Sequence, residues 1–203
     1  MSTMRWIRSR GVTGLVALSL CVIAPRMLAA QGAAPSKEQA DDAAAFKEFS
    51  ARVQAYLKLQ KTVESSLPGL TPTDLPEMIA AHQEALARKI QEARPQAKAG
   101  DIFTPAACEA FRHASQAALG GPRAANARAY MQPGAPDPAM PLAVNGIYPD
   151  TEPITALPPA LLAAFPPLPG EVAYRVVGRM LILIDLKSRL VVDVARLILP
   201  PAS

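Results

Sequence analysis

Cysteine and histidine are scarce in this chain of 203 residues, at two each. Cys21 lies in an apolar N-terminal stretch, so an exported mature chain would keep Cys108 alone. That excludes an intramolecular disulfide and leaves stability to packing. His82 and His113 are the only imidazoles, which makes the chain poor in metal ligands. Aromatic residues reach only 5%, with one tryptophan, and much of the apolar half is alanine. The expected core is thin. Glycine-rich phosphate loops, a nucleophile elbow and a zinc-protease helix are all missing. No enzyme is expected on these grounds.

The N-terminus carries an address. Arg5, Arg8 and Arg10 precede an apolar run from Gly11 to Ala24, and Ala29-Ala30-Gln31 follows. A charged start, a short apolar run and a small-residue exit predict a Sec-type signal peptide over residues 1–30, cleaved near Ala30. The run is shorter than the roughly twenty residues a spanning helix needs. Leu20 stands before Cys21 where a lipobox wants a small residue, so lipidation at Cys21 is not expected. The mature chain is expected in the periplasm or secreted, with no transmembrane span after cleavage. The first thirty residues also hold Arg26 and no acid, so 17 basic residues then face 17 acidic ones. The +4 charge belongs to the precursor. A neutral mature chain gives no reason to expect nucleic acid as a partner.

Residues 31–131 read as a helical region. Ser36 and Gln39 form a capping-box pattern. Phe46, Phe49, Val53, Tyr56, Val63 and Leu67 follow at helical spacing, with Gln60 in the one gap, and Pro68-Gly69 ends the helix. A second helix starts at Asp74-Leu-Pro76 and presents Leu75, Ile79, His82, Leu86, Ile90 and Ala93, with Pro95 interrupting it. The short connection predicts an antiparallel helical hairpin. Thr104-Pro105 starts a third helix that reaches Leu119 and stops at Gly120-Gly121. A short helix over Pro122–Met131 is a further expectation. The first stripe would also suit a coiled-coil dimer, although burial against the second helix accounts for it without a partner.

Residues 132–169 hold eleven of the 21 prolines and read as a linker or wrapping segment, with a short helix near 160–165. Residues 170–199 form a small β module. Gly178-Arg179 predicts a two-residue turn that pairs Val177 with Met180, Val176 with Leu181 and Tyr174 with Leu183. A second turn near 186–189 predicts Asp185 opposite Leu190 and Leu183 opposite Val192. One face then carries Val172, Tyr174, Val176, Leu181, Leu183, Leu190, Val192 and Val194, ending in Asp185. The other carries Arg175, Val177, Met180, Ile182, Ile184, Val191 and Asp193. Three strands cannot hide both faces. Val177, Ile182, Ile184 and Val191 are therefore a candidate docking face, for the protein's own helices or for a partner in the cell envelope. The fold class expected is α+β, mainly helical, with a helical hairpin, a third helix, a proline-rich linker and a C-terminal three-stranded antiparallel meander.

Three features of the tail occur together: Leu157-Pro-Pro with Pro166-Pro-Leu-Pro169, Tyr174-Arg-Val-Val-Gly-Arg179, and an apolar strand ending in Asp185 before Val191-Val-Asp193. Residues 157–194 thereby resemble the C-terminal β module of RcnB-like periplasmic proteins, a module also similar to the tails of other exported bacterial proteins. The resemblance implies nickel or cobalt homeostasis. The chain departs from the pattern at Arg189, where glycine or asparagine is common, and a left-handed arginine there would cost about 1 kcal/mol. Residues 31–131 do not share the resemblance.

Each chemical candidate has a plainer reading. Glu109 and His113 are four apart on one helix face, and His82 could join them as ligands of a divalent transition metal. Otherwise His82 is an interfacial histidine and Glu109–His113 a surface pair. Cys108, in a first helical turn and one turn before Arg112, is a candidate reactive thiol, against the reading of a small buried residue. Asp185 and Asp193 fall on opposite faces, Asp185 as a turn-capping acid and Asp193 as a solvent-facing break. The expectation is a non-enzymatic exported interaction or envelope-accessory protein without a cofactor. A metal-responsive periplasmic factor and a hydrolase of unrecognised type are the alternatives.

Overall fold

The computed structural model describes residues 35–69, 75–120, 142–149, 155–177 and 180–196. The chain divides into Met1–Ala34 and Pro35–Ser203, and every described residue lies in the second unit. Its elements are α1 (Lys37–Ser65), α2 (Pro76–Ala93), α3 (Pro105–Leu119), β1 (Thr155–Ala156), α4 (Pro159–Ala164), β2 (Val172–Val177), β3 (Met180–Asp185) and β4 (Val191–Ala195). The class is α+β.

The helix starts follow from their caps. Ser36 Oγ accepts the Gln39 N–H at 3.2 Å, and Gln39 Oε1 accepts the Ser36 N–H at 2.9 Å. The capping box therefore satisfies donors that the first turn leaves open. Thr104 Oγ1 does the same for Ala107 at 3.2 Å, with Pro105 at the first helical position. α2 begins at Pro76; the expected cap Asp74, the Pro122–Met131 helix and the Gly178-Arg179 turn lie outside the described residues. α1 buries Phe49, Val53, Tyr56 and Gln60, with Phe46 and Val63 half-covered, and Leu67 just past its end is half-covered too. The α2 stripe is only partly used. Leu86, Ala87 and Ile90 are buried, but Leu75 and Ile79 are exposed.

The sheet has four antiparallel strands in the order β1-β2-β3-β4 rather than three. The extra strand pairs Thr155 with Val176 and Ala156 with Arg175. Two residues among prolines are too short for a period-two signal, yet they cover the free edge of β2. The β2–β3 register is the one expected, with Val177 opposite Met180 and Tyr174 opposite Leu183. The β3–β4 register is the one expected beside the turn, where Asp185 N–H donates to Leu190 O at 2.9 Å, but not beyond it. Ile184 pairs with Val191, but Leu183 pairs with Asp193, so Val192 is an extra residue in a bulge. Beyond the bulge every side chain changes face. Asp193 turns toward the helices, and Val194 turns away from them. This overturns both the solvent-facing Asp193 and the core-facing Val194. Arg189 does adopt the left-handed conformation, at φ 60°.

The helix-facing side of the sheet and the helices share one core. All five phenylalanines and Tyr174 gather there, and Phe111 is the hub. Its ring centroid lies 4.7–5.8 Å from those of Phe46, Phe49, Phe103, Phe165 and Tyr174. Edge-to-face packing of this kind adds to the burial itself. Few aromatics thus suffice because they are concentrated. The short α4 buries Leu161 into the same core.

The outer face is not open. Val177, Ile182, Ile184 and Val191 are buried in a second cluster with Tyr148, flanked by Leu142 and Val144. The expected docking face is thus occupied by the chain's own 142–149 segment, the wrapping role the proline-rich stretch allowed. That segment also lines the β4 edge: Asn145 N–H donates to Val191 O at 2.8 Å, and Val191 N–H to Gly146 O at 2.9 Å.

Candidate functional site

Two carboxylates sit fully buried at the junction of sheet and helices. Asp193 Oδ1 accepts the N–H groups of Gly100 at 3.0 Å and Val194 at 2.7 Å. Its Oδ2 accepts those of Ile102 and Phe103, both at 2.7 Å. Four donors fill the acceptor sites of an ionised carboxylate. Gly100 reaches this geometry at φ 92°, a conformation costly for other residues. Asp193 therefore acts as the anchor of the loop that leads into α3.

Asp185 is satisfied in the same number. Its Oδ1 accepts Lys187 N–H at 2.8 Å and Ser188 N–H at 3.0 Å, the turn cap read from the sequence. Its Oδ2 reaches α1, accepting from Tyr56 Oη at 2.5 Å and Gln60 Nε2 at 2.8 Å. Burial pushes the Tyr56 phenol well above its ordinary range, and the Asp185 charge adds to this. Arg94 lies over the Tyr56 ring at 5.1 Å. Asn145, at φ 65°, completes the seam. Its Nδ2 donates to Arg94 O at 3.1 Å, and its carbonyl accepts from Gln91 Nε2 at 2.9 Å.

Cys108 is half-buried, and its Sγ lies 3.4 Å from Phe103 O as donor. Burial first, then the Asp193 charge and the Glu109 charge, push its thiol up against the opposing pull of Arg112. The helix start and Arg112 suggested a stabilised thiolate; desolvation and the acid brought in by the bulge outweigh both.

The three sequence-derived metal candidates do not converge. His82 lines a cavity with Glu64, Ile79, Leu86, Leu186 and Lys187. Glu109 and His113 line another with Lys37, Glu38, Asp41 and Asp42. Glu109 pairs with Arg112 rather than with His113. The neighbours of His113 come instead from α1: its Nδ1 lies 3.1 Å from both oxygens of Asp42 and 3.8 Å from Glu38 Oε1. The sequence reading placed Glu38 and Asp42 in no site. Their spacing of four at the start of one helix puts them on one face, but nothing in it shows that His113 stands opposite.

No protein-family model matches the chain, and no curated protein or solved structure matches it either.

Proposed function

We propose that the chain is a non-enzymatic exported protein, periplasmic or secreted, that works through contact with another protein of the cell envelope. One observation carries this reading. The buried groups best suited to chemistry, Asp185, Asp193 and Tyr56, are all committed to joining helices and sheet. Among the described residues, no serine, threonine or cysteine lines the cavities of the two histidines. The N-terminal pattern and the RcnB-like resemblance of residues 157–194 support the address. Among the described residues no helix is long and apolar enough to cross a membrane.

The surface proposed for the contact surrounds His82. Ile79 and Leu186 line that cavity while remaining 38% and 43% exposed. The charges of Glu64 and Lys187 on its wall cancel in an ion pair at 2.7 Å. A wall that is apolar and locally neutral suits an uncharged apolar segment of a partner protein. Photo-crosslinking amino acids at Ile79 and Leu186, in cells of the native host, test this against a control at exposed Lys47. The expected result is a discrete adduct with one and the same envelope protein from both positions, absent at Lys47. No adduct, or turnover of ester or peptide substrates that a point substitution abolishes, overturns the reading.

A further inference from the structure

Near the start of α1 and in the middle of α3, two pairs of side chains stand opposite one another. Glu38 and Asp42 are four residues apart on α1, and Glu109 and His113 are four apart on α3. Such spacing puts both members of a pair on one helix face. Further along α1, Phe46 packs edge-on against Phe111 of α3 at 5.1 Å, which fixes the two helices against each other. All four polar side chains line one open cavity of about 470 Å³.

We propose that Glu38, Asp42 and His113 bind a divalent first-row transition-metal ion, with Glu109 at the rim of the site. One ligand atom from each of the three lies within 4.8 Å of the others. The His113 Nδ1 and Asp42 pair, at 3.1 Å, is the tightest part. Bonds of about 2.0–2.1 Å to a shared ion put neighbouring ligand atoms about 3.0–3.4 Å apart, so His113 and Asp42 already hold that spacing. Glu38, with its side chain 70% exposed, closes the remaining distance by a rotamer change.

The local charge points the same way. Asp41 is paired with Lys37, and Glu109 with Arg112. Among the described residues Glu38 and Asp42 have no lysine or arginine within ion-pair distance, and their partner is His113. Two carboxylates facing one imidazole leave an excess of negative charge that a dication neutralises. One nitrogen and several carboxylate oxygens suit zinc, nickel, cobalt or manganese better than calcium or magnesium, which take oxygens alone. The site lies outside residues 157–194 and is independent of the envelope contact proposed above.

Calorimetry of the purified protein with zinc chloride, and cobalt absorption spectra, test the site. The expected result is one ion per chain and a melting temperature that rises with zinc. His113→Gln and Asp42→Asn should each weaken binding by more than about a hundredfold, beyond the about 10–100-fold that an outer-shell partner is worth. Both positions are partly exposed, so the variants fold, which their metal-free melting curves verify. His82→Gln, in the other cavity, should bind as the parent does. The proposal is overturned by absence of binding to the parent, by unchanged binding in both His113→Gln and Asp42→Asn, or by an equal loss in His82→Gln.

Discussion

The Tyr56 hydroxyl donates a 2.5 Å hydrogen bond to Asp185 Oδ2, joining the middle of α1 to the end of β3 across 129 positions of sequence. Both residues are buried, and Asp185 has no contact with water to fall back on. The relationship makes the β turn and the helical layer one cooperative object. A turn-capping acid alone would fix only its own loop.

Tyr56→Phe should therefore cost more than a surface change. The ring is kept and only the donor to a buried carboxylate is lost, which is worth about 1.5–3 kcal/mol. Urea unfolding of the parent and variant measures it. Gln60→Leu removes the other donor to the same oxygen. The two substitutions together should depart from additivity, because Oδ2 is then left without either partner. A stability loss below about 0.5 kcal/mol for Tyr56→Phe, the scale of ordinary surface substitutions, would show that the contact is incidental.

Asp193 gives a second test. Removing its carboxylate orphans the buried N–H groups of Ile102 and Phe103 and frees that of Gly100. Each buried unsatisfied donor costs about 1–3 kcal/mol, so Asp193→Ala should destabilise by at least about 2 kcal/mol. Asp193→Asn is not a safe substitute, since one acceptor oxygen becomes a donor facing donors. It should also be strongly destabilising. Hydrogen exchange separates this from a general packing loss: the amides of Ile102 and Phe103 should lose protection before those of α1. Uniform protection across these amides in a folded Asp193→Asn protein would contradict the anchoring role.

Much of this fold can be read from periodicity and caps. Ser36 with Gln39, and Thr104 with Pro105, place helix starts because the cap chemistry is local. The β2–β3 pairing follows from alternation on both sides of one turn. What could not be read was set by single residues in tertiary contact. The Val192 bulge leaves no mark on an apolar run, since valine suits either face, yet it reverses Asp193. Gln60 in the α1 stripe did mark the place where a buried polar partner was needed, but not that the partner was Asp185. The Glu38–Asp42–His113 group depends on how α1 meets α3, which no spacing within either helix encodes.

Alkaline pH should weaken the fold through its tyrosines. Burial pushes the phenols of both Tyr56 and Tyr174 above their ordinary range, with Asp185 adding to the first. In the unfolded chain they titrate near pH 10. Below that, both states hold the proton and the stabilisation is complete. Above it, the unfolded state loses protons that the folded state keeps, so stability falls as pH rises. The slope is about 1.4 kcal/mol per pH unit for each such phenol. Urea midpoints between about pH 9 and pH 11, followed with tyrosinate absorbance, measure it. Tyr56→Phe should shallow the decline by about one phenol's share. An identical slope in parent and variant would remove Tyr56 as its source.

The Cys108 thiol should be sluggish. Burial and the charges of Asp193 and Glu109 raise its pKa, and only Arg112 opposes them. Reaction needs the thiolate, so a raised pKa lowers the reactive fraction at neutral pH. Iodoacetamide at about pH 8, slightly below the ordinary thiol pKa, should modify folded Cys108 more slowly than the urea-unfolded chain. Glu109→Gln should accelerate the reaction in the folded protein. It removes a negative charge, and it releases Arg112 from the ion pair that now engages it. Arg112→Ala should slow the reaction further for the opposite reason. If the folded thiol reacts as fast as the unfolded one, desolvation does not control it. If the Glu109 and Arg112 variants move the rate in the same direction, charge does not either.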